Sequence, residues 1–409
     1  MTTRLYYDDP HLTAFDASVV AVEPRDDRTV VTLDRTAFYP TSGGQPFDTG
    51  TLGGFRVVDV LDRDDGTIAH VLENPQNPLP ATRNPRLGPG DRVSGAIDWV
   101  RRFDHMQQHT GQHVLSAAFE RLFHIRTVSF HLGTDASTID LARDVSQAEL
   151  TAAEQDANRV VWEDRPVAVR YATEAEAASM PLRKESKRSG TLRLVEVADY
   201  DLSACGGTHV ARTGAIGLIA VSGWERFKGG VRIEFLCGGR TLTRFNALRD
   251  SVAATTRLLS VTAAELPQMI ERMQSDAKEQ KRSVVALQTE LARFRADELA
   301  ATADTRQLRD GSEARIVARA LDADANTLKA LALAIVNRPG FVVVLVSSTT
   351  PSLVVVARSA DVGGVNAQQV LARLVSEFGG RGGGKAELAQ GGGMNGSADA
   401  ILTTSATVL

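Results

Sequence analysis

His109 and His113 stand four residues apart, and about ninety residues later so do Cys205 and His209. No other feature limits the fold as tightly, because the chemistry of these pairs depends on the chain bringing them together. In a helix, an i,i+4 spacing puts both imidazoles on one face, a turn apart, able to grip one metal ion. Val114, Leu115, Ala117, Ala118 and Phe119 give that helix a buried side. Gly206 and Gly207 allow a tight turn between the Cys205 thiolate and the His209 imidazole. The chain has only eight histidines and two cysteines, yet these clusters take three histidines and one cysteine. Three nitrogens and one sulfur suit tetrahedral zinc, one ion per chain, and argue against magnesium or calcium. Taken singly, each cluster has a plainer reading. Helical histidine pairs are commonly structural, and a lone cysteine in such a turn is commonly a small buried hydrophobe. His105 extends the helical face by one turn and is a rival ligand, although a place behind the ligands or facing a substrate suits it better.

HTGQH followed at a distance by CGGTH resembles the editing domain of alanyl-tRNA synthetases and the free-standing alanyl-tRNA editing proteins of the AlaX family. The resemblance implies that His109, His113, Cys205 and His209 bind zinc in a deacylase site.

At 409 residues the chain is long enough for two or three domains with sizeable cores. Its 43% hydrophobic and 23% charged content is that of a soluble globular protein. Two cysteines far apart in sequence give no disulfide framework, which fits a reducing cytoplasm. The N-terminus lacks a signal-peptide pattern, and no run reaches the ~20 apolar residues needed to span a bilayer. A cytoplasmic protein with no membrane partner is expected. The formal net charge of −4 removes any argument from bulk charge for nucleic-acid binding, so contact with RNA must use local basic patches.

Residues 1–95 read as β: short alternating runs broken by Asp, Gly and Pro turns predict a small barrel or curled sheet. Residues 37–50, AFYPTSGGQPFDTG, place Gly43 and Gly44 between Ser42 and Gln45. A plain tight turn is the simplest reading of that motif. It also resembles the glycine-rich motif of the same editing domains, which implies that Ser42, Gly43, Gly44 and Gln45 position the tRNA terminus or shape the pocket. The proline-rich residues 74–89 read as a surface loop or linker.

After the histidine helix, residues 125–132 alternate as a strand, with Thr127, Ser129 and His131 on one face and Val128, Phe130 and Leu132 on the other. A second strand at 137–141 leads to an amphipathic helix from Gln147 to about Trp162, with Ser146 and Glu149 in a capping-box pattern. By analogy with the resembling family, Gln112, Thr127 and Ser129 are the proposed catalytic-pocket contacts, with His131 beside them on the substrate side. Residues 181–190, PLRKESKRSG, are the densest basic run. Most such runs are solvated loops, but this one leads into the strand before CGGTH, so Lys184, Lys187 and Arg188 are candidate phosphate contacts. Residues 227–235 resemble the family's closing strand, and Cys237, with no histidine partner, reads as structural.

Ile270, Met273, Ala277, Val284, Leu287, Leu291 and Phe294 follow alternating spacings of three and four, with one polar break at Gln280. This is the seam of a helical hairpin or coiled coil, and a homodimer through the helical and C-terminal region extends that reading. Residues 341–347 and 352–357 are buried-type strands. Residues 379–396, GGRGGGKAELAQGGGMNG, carry Arg381 and Lys385 among glycines, able to cradle phosphate but without the Walker A order. GGGKAELAQGG resembles the C-terminal domain of alanyl-tRNA synthetases, also found in DHH-type phosphoesterases, which implies tRNA binding or dimerisation.

The expected fold is α+β. It comprises an N-terminal barrel-like β domain at 1–95, a zinc-containing α+β sandwich at 96–245, a helical hairpin or coiled-coil linker at 246–310 and a C-terminal α/β glycine-rich domain at 311–409. The chain begins at the editing β-domain, without a class II aminoacylation core. The expected function is therefore that of an ATP-independent trans-editing aminoacyl-tRNA hydrolase. It would cleave the carboxylic ester of tRNA for alanine mischarged with serine, with glycine as second candidate. The rivals are a tRNA-binding module with a purely structural zinc and a DHH-like phosphoesterase. The latter is disfavoured because no Asp-His-His run occurs.

Overall fold

Alternation of period two along short strands builds a closed six-stranded barrel at the N-terminal end of the chain. Its strands are β1 (Ala14–Arg25), β2 (Arg28–Leu33), β3 (Gly50–Leu52), β4 (Phe55–Asp62), β5 (Ile68–Glu73) and β6 (Arg92–Ile97), paired in the order β1-β2-β5-β4-β3-β6. Along β1, Phe15, Ala17 and Val19 point inward while Asp16 and Val20 face solvent. The link between β2 and β3 carries the glycine-rich motif out of the barrel. The computed structural model describes residues 1–25, 27–73, 87–184 and 190–409, which fall into two compact units, Met1–Thr255 and Thr256–Leu409. Most of the proline-rich stretch expected as a surface loop or linker, residues 74–86, lies outside the described residues.

Helix α1 (Trp99–Phe123) follows the barrel directly, and Asp98 caps it by accepting from the Arg101 amide at 3.3 Å. From Gln108 to Phe119 every side of this helix is buried, so it is the central rod of the first unit. On one flank runs an antiparallel sheet built of β7 (Thr127–Leu132), β8 (Ser137–Leu141) and two later strands. Helix α2 (Gln147–Trp162) packs on α1, and its Ser146/Glu149 capping box is present as expected. The strands β9 (Val167–Ala172), β10 (Leu192–Val197) and β11 (Asp201–Ala204) form a three-stranded sheet that ends at the CGGTH turn. Then β12 (Ile219–Phe227) and β13 (Gly230–Cys237) complete the first sheet, in the order β12-β13-β8-β7. Close packing is visible where Gly111 of α1 meets Cys237: a Cβ at Gly111 would stand 2.3 Å from the Cys237 sulfur. Burial pushes the Cys237 thiol well above its ordinary pKa, as a structural cysteine requires.

The expected alternation of β7 is corrected by a β-bulge. Thr127, Phe130 and Leu132 pair with Leu141, Ile139 and Ser137, all on the buried face of β8, whereas Ser129 and His131 pair with Asp140 and Thr138. An extra residue in β7 thus moves Thr127 to the helix side and leaves Ser129 and His131 on the exposed face.

Helix α3 (Gly239–Leu259) is followed by α4 (Leu266–Ala301), one continuous 36-residue helix along which the apolar seam runs exposed. The second unit is built on a six-stranded sheet of β14 (Asp304–Gln307), β15 (Glu313–Leu321), β16 (Phe341–Ser347), β17 (Ser352–Arg358), β18 (Arg381–Gly384) and β19 (Leu388–Met394), ordered β14-β15-β16-β17-β19-β18. Helices α5 (Ala325–Val336), α6 (Ala367–Phe378) and α7 (Ala398–Val408) supply its cover. Residues of α4 and α5 form the core on one face and those of α6 and α7 on the other. Coverage on both faces explains why β16 is apolar from Phe341 to Val346, with all seven of its residues buried. No described helix is long and apolar enough to cross a membrane.

Candidate metal centre

The two half-sites meet. His109 and His113 project from α1, Cys205 and His209 from the turn after β11, and their ligand atoms all lie within 4.8 Å of one another. The Cys205 sulfur is 3.4 Å from the Nε2 atoms of both His109 and His209. For an ion bound at the usual Zn–S and Zn–N lengths, the edge of a tetrahedron is roughly 3.5 Å. The group can hold a metal ion.

Each imidazole is held from behind by its other nitrogen. His109 Nδ1 lies 2.9 Å from Gln45 Oε1, His113 Nδ1 lies 3.0 Å from Asp201 Oδ2, and His209 Nδ1 lies 3.2 Å from Thr110 Oγ1. All three partners are acceptors there. The Gln45 oxygen also accepts from the Thr208 amide at 3.1 Å, while its nitrogen donates to the Thr208 hydroxyl at 2.8 Å. The Thr110 hydroxyl spends its hydrogen on the Met106 carbonyl at 2.8 Å. The network therefore assigns the proton to Nδ1 in each ring and aims three Nε2 lone pairs into the cluster.

Electrostatics follow from this packing. Burial pushes the Cys205 thiol up, but the neighbouring His109 and His209 rings outweigh it and hold the thiol well below its usual range. Burial, with His109 close by, lowers His209 to about 3, so it stays neutral. Burial also opposes charge on His113, but the Asp201 carboxylate and the Cys205 sulfur together outweigh it and move that ring upward. Asp201 itself is held at about 2 despite burial, by the hydrogen bond from His113 and the Arg183 guanidinium. Neutral imidazoles and a thiolate are the protonation states that bind metal.

Backbone geometry allows the approach. A Cβ at Gly207 would meet His109 Cε1 at 2.1 Å, so only glycine fits beneath that ring. Arg193 braces the turn from below, donating to the carbonyls of Cys205 at 2.8 Å and Gly207 at 3.0 Å. In the glycine-rich motif, Ser42 and Gln45 exchange backbone hydrogen bonds across Gly43 and Gly44, both at positive φ, which makes a tight two-residue turn. That turn docks on β7: Leu132 donates to the Gly44 carbonyl at 3.2 Å, and Gly44 abuts the Phe130 ring, which is 5.5 Å from His109.

Of the other anticipated residues, Lys184 lies beside the centre, its ammonium 5.1 Å from the Phe130 ring centroid. Gln112 is buried and donates to Ser116 Oγ at 2.8 Å, which also accepts from Thr127 at 2.8 Å. Ser42 is half-buried at the turn, whereas Gln45 is buried with its amide spent on His109 and Thr208, so it positions a ligand. Ser129 donates to Asp140 on the exposed face at 2.5 Å, with His131 on that same face. His105 is buried with no hydrogen bond to its Nδ1, is lowered to about 4 by that burial, and is not part of the four-residue group. Lys187 and Arg188 lie outside the described residues. Arg381 and Lys385 are exposed in the second unit, on and just after β18. Asp201, Thr110 and Arg193 are the positioning residues that sequence reasoning missed. Thr110 and Thr208 sit next to ligands inside HTGQH and CGGTH, a signal that was there to be read.

The profile described as "Threonyl and Alanyl tRNA synthetase second additional domain" matches residues 192–234, and one described as "DHHA1 domain" matches residues 313–408. The alanyl-tRNA editing protein AlaX-L of Pyrococcus horikoshii is 31% identical over 96% of this chain and 94% of its own length. This chain belongs to the alanyl-tRNA editing protein family. The alanine–tRNA ligase of Pyrococcus abyssi, 33% identical, aligns with 95% of this AlaX-type chain, which spans only 42% of that ligase. The solved C-Ala domain of Aquifex aeolicus alanyl-tRNA synthetase covers 26% of the chain and 93% of itself at 24% identity, with a TM-score of 0.22, too slight to bear on the fold.

Proposed function

We propose that this chain is a trans-editing deacylase. It hydrolyses the ester joining a wrong amino acid to the tRNA for alanine, with serine the first candidate and glycine the second. The observation that carries this reading is the convergence of His109, His113, Cys205 and His209 on one centre, with the glycine-rich turn docked beside it. The name of the AlaX-L relative supports alanyl-tRNA editing as the process. Such an enzyme has a physical reason to exist. A synthetase pocket for a small amino acid cannot strongly reject one lacking a methyl group, nor one that adds a hydroxyl.

One zinc per chain fits the donor set, since a thiolate and three imidazoles suit a borderline-soft divalent ion. When bound, such an ion polarises the ester carbonyl or lowers the pKa of a water. The chain's own residues do the rest. Gln45, Asp201 and Thr110 hold the ligand rings in register. Lys184 offers a cation to a phosphate of the incoming tRNA end, and Ser42, Gly43 and Gly44 form the wall beside it. Gln112 and Thr127, joined through Ser116, are the substrate contacts we retain. Arg381 and Lys385 extend tRNA contact to the second unit. Residues 1–95, 96–245, 246–310 and 311–409 are the functional segments of this reading.

The test is deacylation of serine-, glycine- and alanine-charged tRNA for alanine, with zinc content measured on the same sample. Release of serine with alanine spared, at about one zinc per chain, is the expected result. One observation favours a second reading. Four protein ligands close a metal site in the structural manner, as in a tRNA-binding module with structural zinc. Zinc-loaded protein that binds tRNA and releases no amino acid would decide for that module.

A further inference from the structure

Within the metal centre His109, His113 and His209 are buried, whereas Cys205 is only half-buried and Gly206 after it is exposed. The centre therefore opens on the Cys205–Gly206 side. In a deacylase the ester sits on the ribose of the terminal nucleoside, so the base of that nucleoside lies within one sugar of this opening. Unpaired bases are held in protein sites by stacking on aromatic rings.

Two aromatic groups border the centre. Phe130 stands 5.5 Å from His109, but Gly44 and the Lys184 ammonium already cover it. The other group is at the opening. Tyr7, in the one-turn helix Leu5–Asp8, is half-buried, and a Cβ at Gly206 would stand 3.5 Å from its hydroxyl oxygen. Tyr171 of β9 pairs in register with Arg193 of β10, which puts both side chains on one face of that sheet, and Tyr171 is 53% exposed. Arg193 ties these rings to the centre. Its carbonyl accepts from the Cys205 amide at 3.1 Å, and its guanidinium lies 5.3 Å from the Tyr7 ring centroid.

Two donors at this place are unspent. Arg193 is only 9% exposed, yet its Nη2 has no hydrogen-bond partner among the described residues. A buried donor left unmet is destabilising, and an acceptor that arrives with a ligand accounts for it. The Tyr7 hydroxyl accepts from Arg4 Nη1 at 3.4 Å, and Asp62 fixes Arg4 with hydrogen bonds of 2.8 and 2.6 Å. That leaves the hydroxyl hydrogen for an outside acceptor.

We propose that Tyr171, Tyr7 and Arg193 form the seat of the unpaired 3′-terminal nucleoside of tRNA. The base stacks on the exposed Tyr171 ring, while the Tyr7 hydroxyl and Arg193 Nη2 donate to ring-nitrogen and ribose-oxygen acceptors. The ester is then presented to the open, Cys205 side of the centre. The choice of ligand rests on the deacylase reading; the test does not.

That test measures binding of uncharged tRNA for alanine, intact or lacking its 3′-terminal nucleotide, to the full zinc-loaded chain. The wild type should bind the intact form about 5- to 150-fold more tightly, the range for one base stacked on an aromatic ring. Tyr171→Ala should remove most of this preference at unchanged zinc content, and Tyr171→Phe should keep it. Tyr7→Phe retains the ring and loses the donor, so the preference should fall about two- to tenfold. A terminal 2-aminopurine should be quenched by the wild type and brighter in Tyr171→Ala. Equal binding of the two tRNA forms by the wild type overturns the proposal, as does a full preference in Tyr171→Ala or Tyr7→Phe. No hydrolysis enters these measurements. A chain that releases no amino acid yet shows the preference loses the deacylase reading and keeps the seat. One that releases serine without the preference keeps the reading and loses the seat.

Discussion

Gln45, on a loop that leaves the barrel, accepts a hydrogen bond from His109 on the central helix at 2.9 Å, and its amide ties the same ring to Thr208 of the CGGTH turn. One side chain thus joins three segments that come together only in the folded unit. The link that leaves the barrel delivers to the candidate metal centre the group that orients His109.

Removing that group should loosen the ion while leaving the fold intact. For Gln45→Ala, about a 10- to 100-fold loss of metal affinity is expected, the usual cost of deleting a hydrogen-bond partner behind a ligating histidine. Competition with a chromogenic chelator measures it. Wild-type affinity in this variant would show that Gln45 does not orient His109.

The barrel is held to α1 by a buried ion pair. Arg102 is fully buried and donates to Asp48 through Nε at 3.0 Å and Nη2 at 2.5 Å, and to the carbonyls of Ala37 and Pro10. Arg102→Met leaves Asp48 as an uncompensated buried charge, and removal of one partner from such a pair costs about 3–5 kcal/mol. Urea unfolding of this variant should show a loss of that order. Arg102→Met with Asp48→Asn should recover part of it.

The barrel also sets a pH limit. His70 is fully buried, with Nε2 2.8 Å from the Thr36 hydroxyl and Nδ1 3.0 Å from the Val31 carbonyl; burial lowers it to about 4. An unfolded histidine titrates near 6.5. Between these values the unfolded chain binds a proton that the folded chain refuses, so stability rises with pH across the window and is lost as pH falls from about 6.5 to 4. The loss from His70 is on the order of 2–3 kcal/mol. Unfolding free energies at pH 7 and pH 5 should differ less in His70→Gln than in the wild type, and equal differences would remove His70 as the cause.

Lys184 stands over Phe130 at the edge of the centre and is exposed. If it meets a tRNA phosphate, Lys184→Ala should weaken tRNA binding across sequences and lower the slope of log K against log salt by about one. Zinc content should be unchanged. Titrations at several salt concentrations read the slope directly, and an unaltered slope removes Lys184 from the tRNA interface.

Local pattern alone disclosed much of this protein. The i,i+4 spacing of His109 and His113 implied a helical ligand pair. Ser146 with Glu149 marked the start of a helix, and the apolar run of residues 341–347 marked a strand covered on both faces. These signals are short-range, since helix and strand periods and caps are properties of neighbours in sequence. What lay beyond them depended on long-range packing. The bulge in β7 turned Ser129 and His131 away from the centre although simple alternation put them beside Thr127, because a single inserted residue reverses which face follows. Gln45 resembled a substrate contact until the fold buried it behind His109. Asp201 and Arg193 carry no motif of their own, and they and Thr110 of HTGQH acquire their roles only because β10, β11 and α1 meet. The sequence by itself determined which atoms can bind the ion; the tertiary structure decided which side chains hold those atoms still, since that depends on partners up to about a hundred residues away.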